Sequence, residues 1–144
     1  MLSAPLLVIS SKGAFMENRN DVDLLACCKD LNEWPRRWEN YPEDVPYGKE
    51  ILEVFKPFIR ALIEQGLSRK TIRNHIDNLW LLGGELIRSL SHDKSLRKVP
   101  AEKLVADSVD EDGGPLCYHL DTEQEQAVFD STCRKLHKFL KSKA

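Results

Sequence analysis

A three-residue elbow, Gly66-Leu67-Ser68, set between two long runs of helical periodicity, most narrows what this chain can fold into. Before it, Ile51, Leu52, Phe55, Phe58, Ile59, Leu62 and Ile63 recur at three- and four-residue steps, and Gly66 can take the left-handed backbone that ends a helix. Leu67 is placed to cover the last turn. Ser68 then serves as an N-cap, because its hydroxyl accepts from an amide that the first turn of the next helix leaves unbonded. After it, Ile72, Ile76, Leu79, Gly83, Leu86, Ile87 and Leu90 form one apolar stripe, with Arg73, Asn74, Asp77, Asn78, Glu85 and Arg88 opposite. The spacing predicts two amphipathic helices, Tyr47 to Gln65 and Ser68 to Leu90, which so short a link forces to cross or lie antiparallel. Pro57 removes one hydrogen bond from the first, so a kink or a restart is expected near Val54 to Pro57.

The flanking segments add shorter elements. Asp21 to Leu31 reads as a short helix, and Pro100 opens another that ends near Asp107. Thr122-x-x-Glu125 is a capping-box pattern for a final helix, with Val128, Phe129, Cys133, Leu136 and Leu140 inward and Arg134, Lys135, Lys138 and Lys141 outward. SHDKSLRK after Leu90 reads as a loop and Asp110 to Pro115 as a turn; Leu116 to Leu120 is an extended piece with no partner, so no sheet follows. Pro35, Pro42 and Pro46 break EWPRRWENYPEDVP into a strap. Two of its aromatics, among Trp34, Trp38 and Tyr41, can pack on the helical body with Arg36 and Arg37 outside; alternatively the strap meets a protein partner or nucleic acid. The resulting division is residues 1–44 as a flexible leader and strap, and residues 45–144 as an all-α domain. Met1 to Asn20 has no sustained period, and translation starting at Met16 would leave Met1 to Phe15 as an extension.

Charge is segregated along the chain. The net charge is -2, yet Lys56 to Lys103 holds ten basic residues against five acids, and Ser131 to Ala144 holds five lysines and arginines with no acid. Folding either converges these segments on one basic face or mixes them with the acids. Arg69, Lys70 and Arg73 occupy the first turns of the long helix, where the dipole disfavours each cation by about 0.3–1 kcal/mol. They are either solvated or hold a phosphate, which helix N-termini also attract. Gly83-Gly84 costs about 1 kcal/mol per glycine, and Gly83 lies on the apolar stripe, where close approach of another helix explains it.

No catalytic motif is present: there is no Gly-rich phosphate loop, GxSxG, HExxH or CxxC, so no enzyme and no cofactor is expected. Cys117-x-His119 with Cys133-x-x-x-His137 is the best metal candidate, against the simpler reading of Cys133 as part of an apolar stripe. His75 and His92 read as surface or flank residues. Adjacent Cys27 and Cys28 are poorly placed to bridge each other, which suggests a reducing cytoplasm. The apolar run Pro5 to Ile9 is too short to span a membrane.

From Phe55 to Ile87, FKPFIRALIEQGLSRKTIRNHIDNLWLLGGELI, the chain resembles the core-binding, SAM-like N-terminal domain of phage integrases and other tyrosine recombinases. The resemblance rests on Gly66, Leu67, Ser68, Thr71, Ile72, His75 and Leu79 and covers about a third of the chain. It implies a small orthogonal bundle of four to five helices that grips double-stranded DNA. Nothing here matches the His-x-x-Arg and tyrosine-nucleophile motifs of the recombinase catalytic domain, and the chain is too short to add one. The expectation is therefore a non-catalytic DNA-binding domain, with Arg69, Lys70, Arg73, Asn74 and Arg88 as phosphate or base contacts and Arg134, Lys135 and Lys138 as an auxiliary clamp. The competing expectation is a protein-interaction module of the same fold, meeting its partner through Trp34, Trp38 and Tyr41 or around Trp80.

Overall fold

Ser68 and Gly66 behave as their chemistry dictates in the computed structural model, which describes residues 21–117 and 119–143. Gly66 takes φ 74°, and the Ser68 Oγ accepts from the Thr71 amide at 3.1 Å. The described residues divide into two compact units, one ending at Leu31 and the other beginning at Asn32. The readings made for Met1 to Asn20 lie outside the described residues. In the first unit, residues 21–27 are helical (α1), and the Cys28 amide closes the last turn on the Leu24 carbonyl at 2.9 Å.

The second unit is an all-helical bundle of α2 (Trp34–Trp38), α3 (Asp44–Glu64), α4 (Arg69–His92), α5 (Ala101–Ser108) and α6 (Glu123–Lys143). Among its described residues the sole β-type pairing is an isolated bridge between Asp110 and Gly113 at the expected turn. A short 3-10 helix, Lys94–Lys98, stands where a loop was expected, because the Asp93 carboxylate accepts from the Ser95 amide and hydroxyl and nucleates a turn. Among the described residues, no helix is long and apolar enough to cross a membrane.

Periodicity becomes core directly. Ile51, Phe55 and Ile59 of α3, Leu79, Leu82, Ile87 and Leu90 of α4, and Phe129 and Leu136 of α6 are fully buried. Each such side chain contributes about 1.5–3 kcal/mol by leaving water. Pro57 neither stops nor restarts α3, which runs unbroken from Asp44 to Glu64. The helix gives up the bond that the Pro57 nitrogen would have made and keeps its buried face instead.

The proline-rich strap packs with the bundle, in the unit that begins at Asn32. Its prolines sit where helices tolerate them: Pro35 in the first turn of α2, and Pro46 in the first turn of α3. Trp34 and Trp38 are buried while Tyr41 is half exposed. Trp34 meets Trp38 at 5.6 Å and Trp80 at 5.5 Å between ring centroids, and Trp38 donates its indole hydrogen to the Trp80 carbonyl at 3.0 Å. Gly83 seats this indole, since a Cβ there would fall inside the Trp38 ring; the close neighbour is thus a tryptophan of the strap.

Asp44 locks the strap to the body. Its Oδ2 accepts from the Asn40 and Tyr41 amides at 2.9 Å each, and its Oδ1 lies 2.6 Å from Arg97 Nη2, off the axis of any N–H bond. With no exposed surface, the carboxylate needs these partners, because an uncompensated buried charge costs several kcal/mol.

Candidate nucleic-acid interface

The candidate interface lies on the seam between α4 and α6. His75 Nδ1 lies 2.7 Å from Thr132 Oγ1, and the Asn78 amide donates to the same Oγ1 at 2.8 Å and to the Val128 carbonyl at 3.4 Å. Rising numbers on α4 meet falling numbers on α6, so the two helices run antiparallel. The first turns of α4 therefore lie alongside the stretch of α6 that holds Lys135 and Lys138.

Thr132 can satisfy both neighbours: it takes a hydrogen from Asn78, and where the His75 proton sits on Nε2 the hydroxyl gives its own hydrogen to the bare Nδ1. That arrangement requires neutral His75. Burial first, and then the nearby Lys135 charge, lower its pKa below the usual histidine value. The reading of His75 as a surface residue is corrected: only 8% of it is exposed, since it lies on the side of α4 that faces α6. Thr132 gave no signal of its own in the sequence, because a hydroxyl on an amphipathic helix is indistinguishable from a surface residue until its partner helix is known.

The expected contact residues separate into two groups. Arg69, Lys70, Arg73 and Asn74 are exposed on the first turns of α4, and Lys135 and Lys138 are exposed on the facing part of α6. Lys135 and Lys138 rim a cleft of about 370 Å³ floored by Phe58, Leu62 and Phe139 and reaching Gln65, the last residue before the elbow. They also rim a second cleft of about 350 Å³ shared with Arg134 and His137. Arg134 donates to the Asp112 carbonyl at 3.4 Å and so leans toward the turn.

Arg88 does not join them. Fifteen residues beyond Arg73 on the same helix, it lies about 22 Å away along the axis, beside Glu85 at 3.8 Å.

Pairing distinguishes the cations further. Arg37, Lys56, Arg88, Arg97 and Lys103 each have a carboxylate partner. Among the described residues, Arg69, Lys70, Arg73, Lys135 and Lys138 form no ion pair. Ser68 occupies the Thr71 amide, while the amides of Arg69 and Lys70 precede the first intrahelical bond and are oriented outward with the positive end of the dipole.

The metal candidate does not assemble. Among the described residues no group of three or more His, Cys, Asp or Glu is placed to hold an ion. Cys117 and Cys133 are buried while His119 is exposed, and burial, reinforced by nearby carboxylates, pushes both thiols up to about 12. Cys133 instead packs against Gly114, where a Cβ would collide with its sulfur. The aromatic partner surface is corrected likewise, because Trp34 and Trp38 are 2% and 6% exposed and are spent on the core, leaving Tyr41 alone accessible.

No protein-family model, curated protein or solved structure matches this chain.

Proposed function

We propose that the bundle is a non-catalytic DNA-binding domain that grips the phosphate backbone of a duplex at the elbow end of α4. The observation that carries this reading is the set of five exposed cations on two antiparallel helices, Arg69, Lys70, Arg73, Lys135 and Lys138, with no ion pair among the described residues. A cation on the first turn of a helix is electrostatically disfavoured, so an anion there relieves a cost that the free protein carries. Asn74 stands one position beyond Arg73 and supplies an amide for a base edge or a sugar. The resemblance to the core-binding domains of tyrosine recombinases points the same way, because it centres on the elbow and on the first turns of α4.

Binding of this kind is mainly counterion release. If all five cations meet phosphates, the logarithm of affinity falls against the logarithm of salt with a slope of about -4 to -5. Fluorescence anisotropy of a labelled duplex at two salt concentrations measures it. Absence of binding at low salt, or binding that the double change Lys135→Glu and Lys138→Glu leaves intact, ends the proposal.

A further inference from the structure

The cleft of about 370 Å³ at the elbow end offers more than phosphate chemistry requires. Lys135 and Lys138 at its rim need only stand in solvent to meet a phosphate, yet between them and the end of α3 lies an apolar recess. Its aromatic wall is Phe139 of α6, which is half-buried and meets the Phe58 ring of α3 at 5.6 Å between centroids. We infer that this recess seats one unpaired base, so that the bundle prefers DNA carrying an extrahelical nucleotide to a fully paired duplex. The inference rests on the duplex-binding reading above and adds to it the kind of DNA that is recognised.

Three properties of the recess suit a base together with its phosphate. The first is charge: both rim lysines are exposed and form no ion pair among the described residues, so they can hold the backbone while the base turns inward. The second is the apolar floor of Phe58, Leu62 and Phe139, beside which a base can shelter its faces from water. Lys143, whose ammonium lies 5.4 Å from the centre of the Phe139 ring, lines a different groove with Val54 and Leu140 and leaves this recess open. The third is a polar edge. The Gln65 side-chain amide has no partner among the described residues and carries a donor beside an acceptor, the pattern that pairs with adenine. Ser142 donates its hydrogen to the Phe139 carbonyl at 2.8 Å and keeps its oxygen lone pairs as acceptors.

Helices that cross leave recesses of their own accord, which accounts for a hollow beside α3. It does not account for Ala61, which lines that hollow. A longer apolar residue there would extend into it and take exposed apolar surface out of water, a gain that alanine forgoes. What alanine leaves is an opening for a flat ring between two cations and an unpaired amide.

The test is fluorescence anisotropy of the full chain at low salt with labelled probes of one sequence: a paired duplex, the duplex with a single bulged adenine, the same bulge made abasic, and the single strand. Affinity ratios are read within each protein, so a change in stability or in phosphate contact cancels. The adenine bulge is expected to bind about fivefold or more tighter than the paired duplex. The abasic bulge should lose that gain, which separates base seating from bending of the bulged DNA. Ala61→Leu, which fills the recess without removing a cation, and Phe139→Leu should each bring the bulged and paired duplexes to equal affinity. Equal affinity in the unaltered protein, an abasic bulge bound as well as the adenine one, or a preference that Ala61→Leu retains would overturn the inference and leave duplex binding standing. Binding of the single strand alone, weakened by Ala61→Leu, would end the duplex reading and keep the base seat. Concentration-dependent dimers that Ala61→Leu abolishes would assign the recess to a second copy of the chain and overturn the inference, and absence of binding to every probe would overturn both.

Discussion

Thr132 of α6 holds His75 of α4 across the seam of the bundle, hydroxyl oxygen to Nδ1 at 2.7 Å, while accepting from Asn78 on its other side. Removing the hydroxyl by Thr132→Val would leave a buried ring nitrogen without its partner and the Asn78 amide with only the 3.4 Å bond to the Val128 carbonyl. A loss of about 1–3 kcal/mol is expected, read from urea denaturation.

The same histidine makes stability depend on pH. Its folded pKa lies below the ordinary value near 6.5, so the unfolded chain takes up the proton first as pH falls. Stability should be flat in this group above about pH 6.5 and decline below it, down to the folded pKa. Denaturant midpoints from pH 7.5 to 5 compared between wild type and His75→Gln check this: the histidine's share of the slope should disappear.

Of the two adjacent glycines of α4, Gly83 is the one that packing demands. Alanine is the better helix former by about 1 kcal/mol, yet Gly83→Ala should destabilise by about 1–3 kcal/mol because the new methyl displaces the Trp38 indole. Thermal melts and the tryptophan emission maximum would report it.

Arg97→Met tests the lock on the strap. It strips the charge partner from a fully buried Asp44 carboxylate, at a cost of about 3–5 kcal/mol. Limited proteolysis should then cut first around residues 39–43, the segment whose amides Asp44 holds.

Cys117 and Cys133 should resist alkylation. With both thiols pushed up to about 12 and buried, almost no thiolate exists at pH 8. Mass spectrometry after iodoacetamide treatment should find these two unmodified in native protein and labelled once urea is added.

Local signals were legible and long-range ones were not. Ser68, Gly66 and the Thr122/Glu125 box are read from a few neighbouring residues, and the bonds are present: the Glu125 amide donates to Thr122 Oγ1 at 3.0 Å, and the Thr122 amide donates to Glu125 Oε1 at 3.2 Å. The apolar stripes of α3, α4 and α6 were equally visible, because burial imposes the 3.6-residue period. Periodicity does not say which stripe meets which. The seat of Trp38 on Gly83 and the pairing of His75 with Thr132 depend on residues 45 and 57 positions apart, and nothing local encodes them. Pro57 does not restart the helix, for the related reason that a helix buried along one side tolerates a lost bond that an isolated one would not. Within the candidate interface, the grouping of Lys135 and Lys138 with the α4 cations, and the separation of Arg88, required knowing that α4 and α6 run in opposite directions.

Gly66 has nothing within 4 Å of where a methyl would sit, so its left-handed twist is demanded by the backbone alone. Chirality is thus the sole reason an L-alanine would be unwelcome there, at about 1–2 kcal/mol. A D-alanine introduced by chemical ligation inverts that penalty. It should make the chain more stable than the natural glycine by restricting the unfolded ensemble, turning the bend between α3 and α4 into a site where handedness alone tunes the fold.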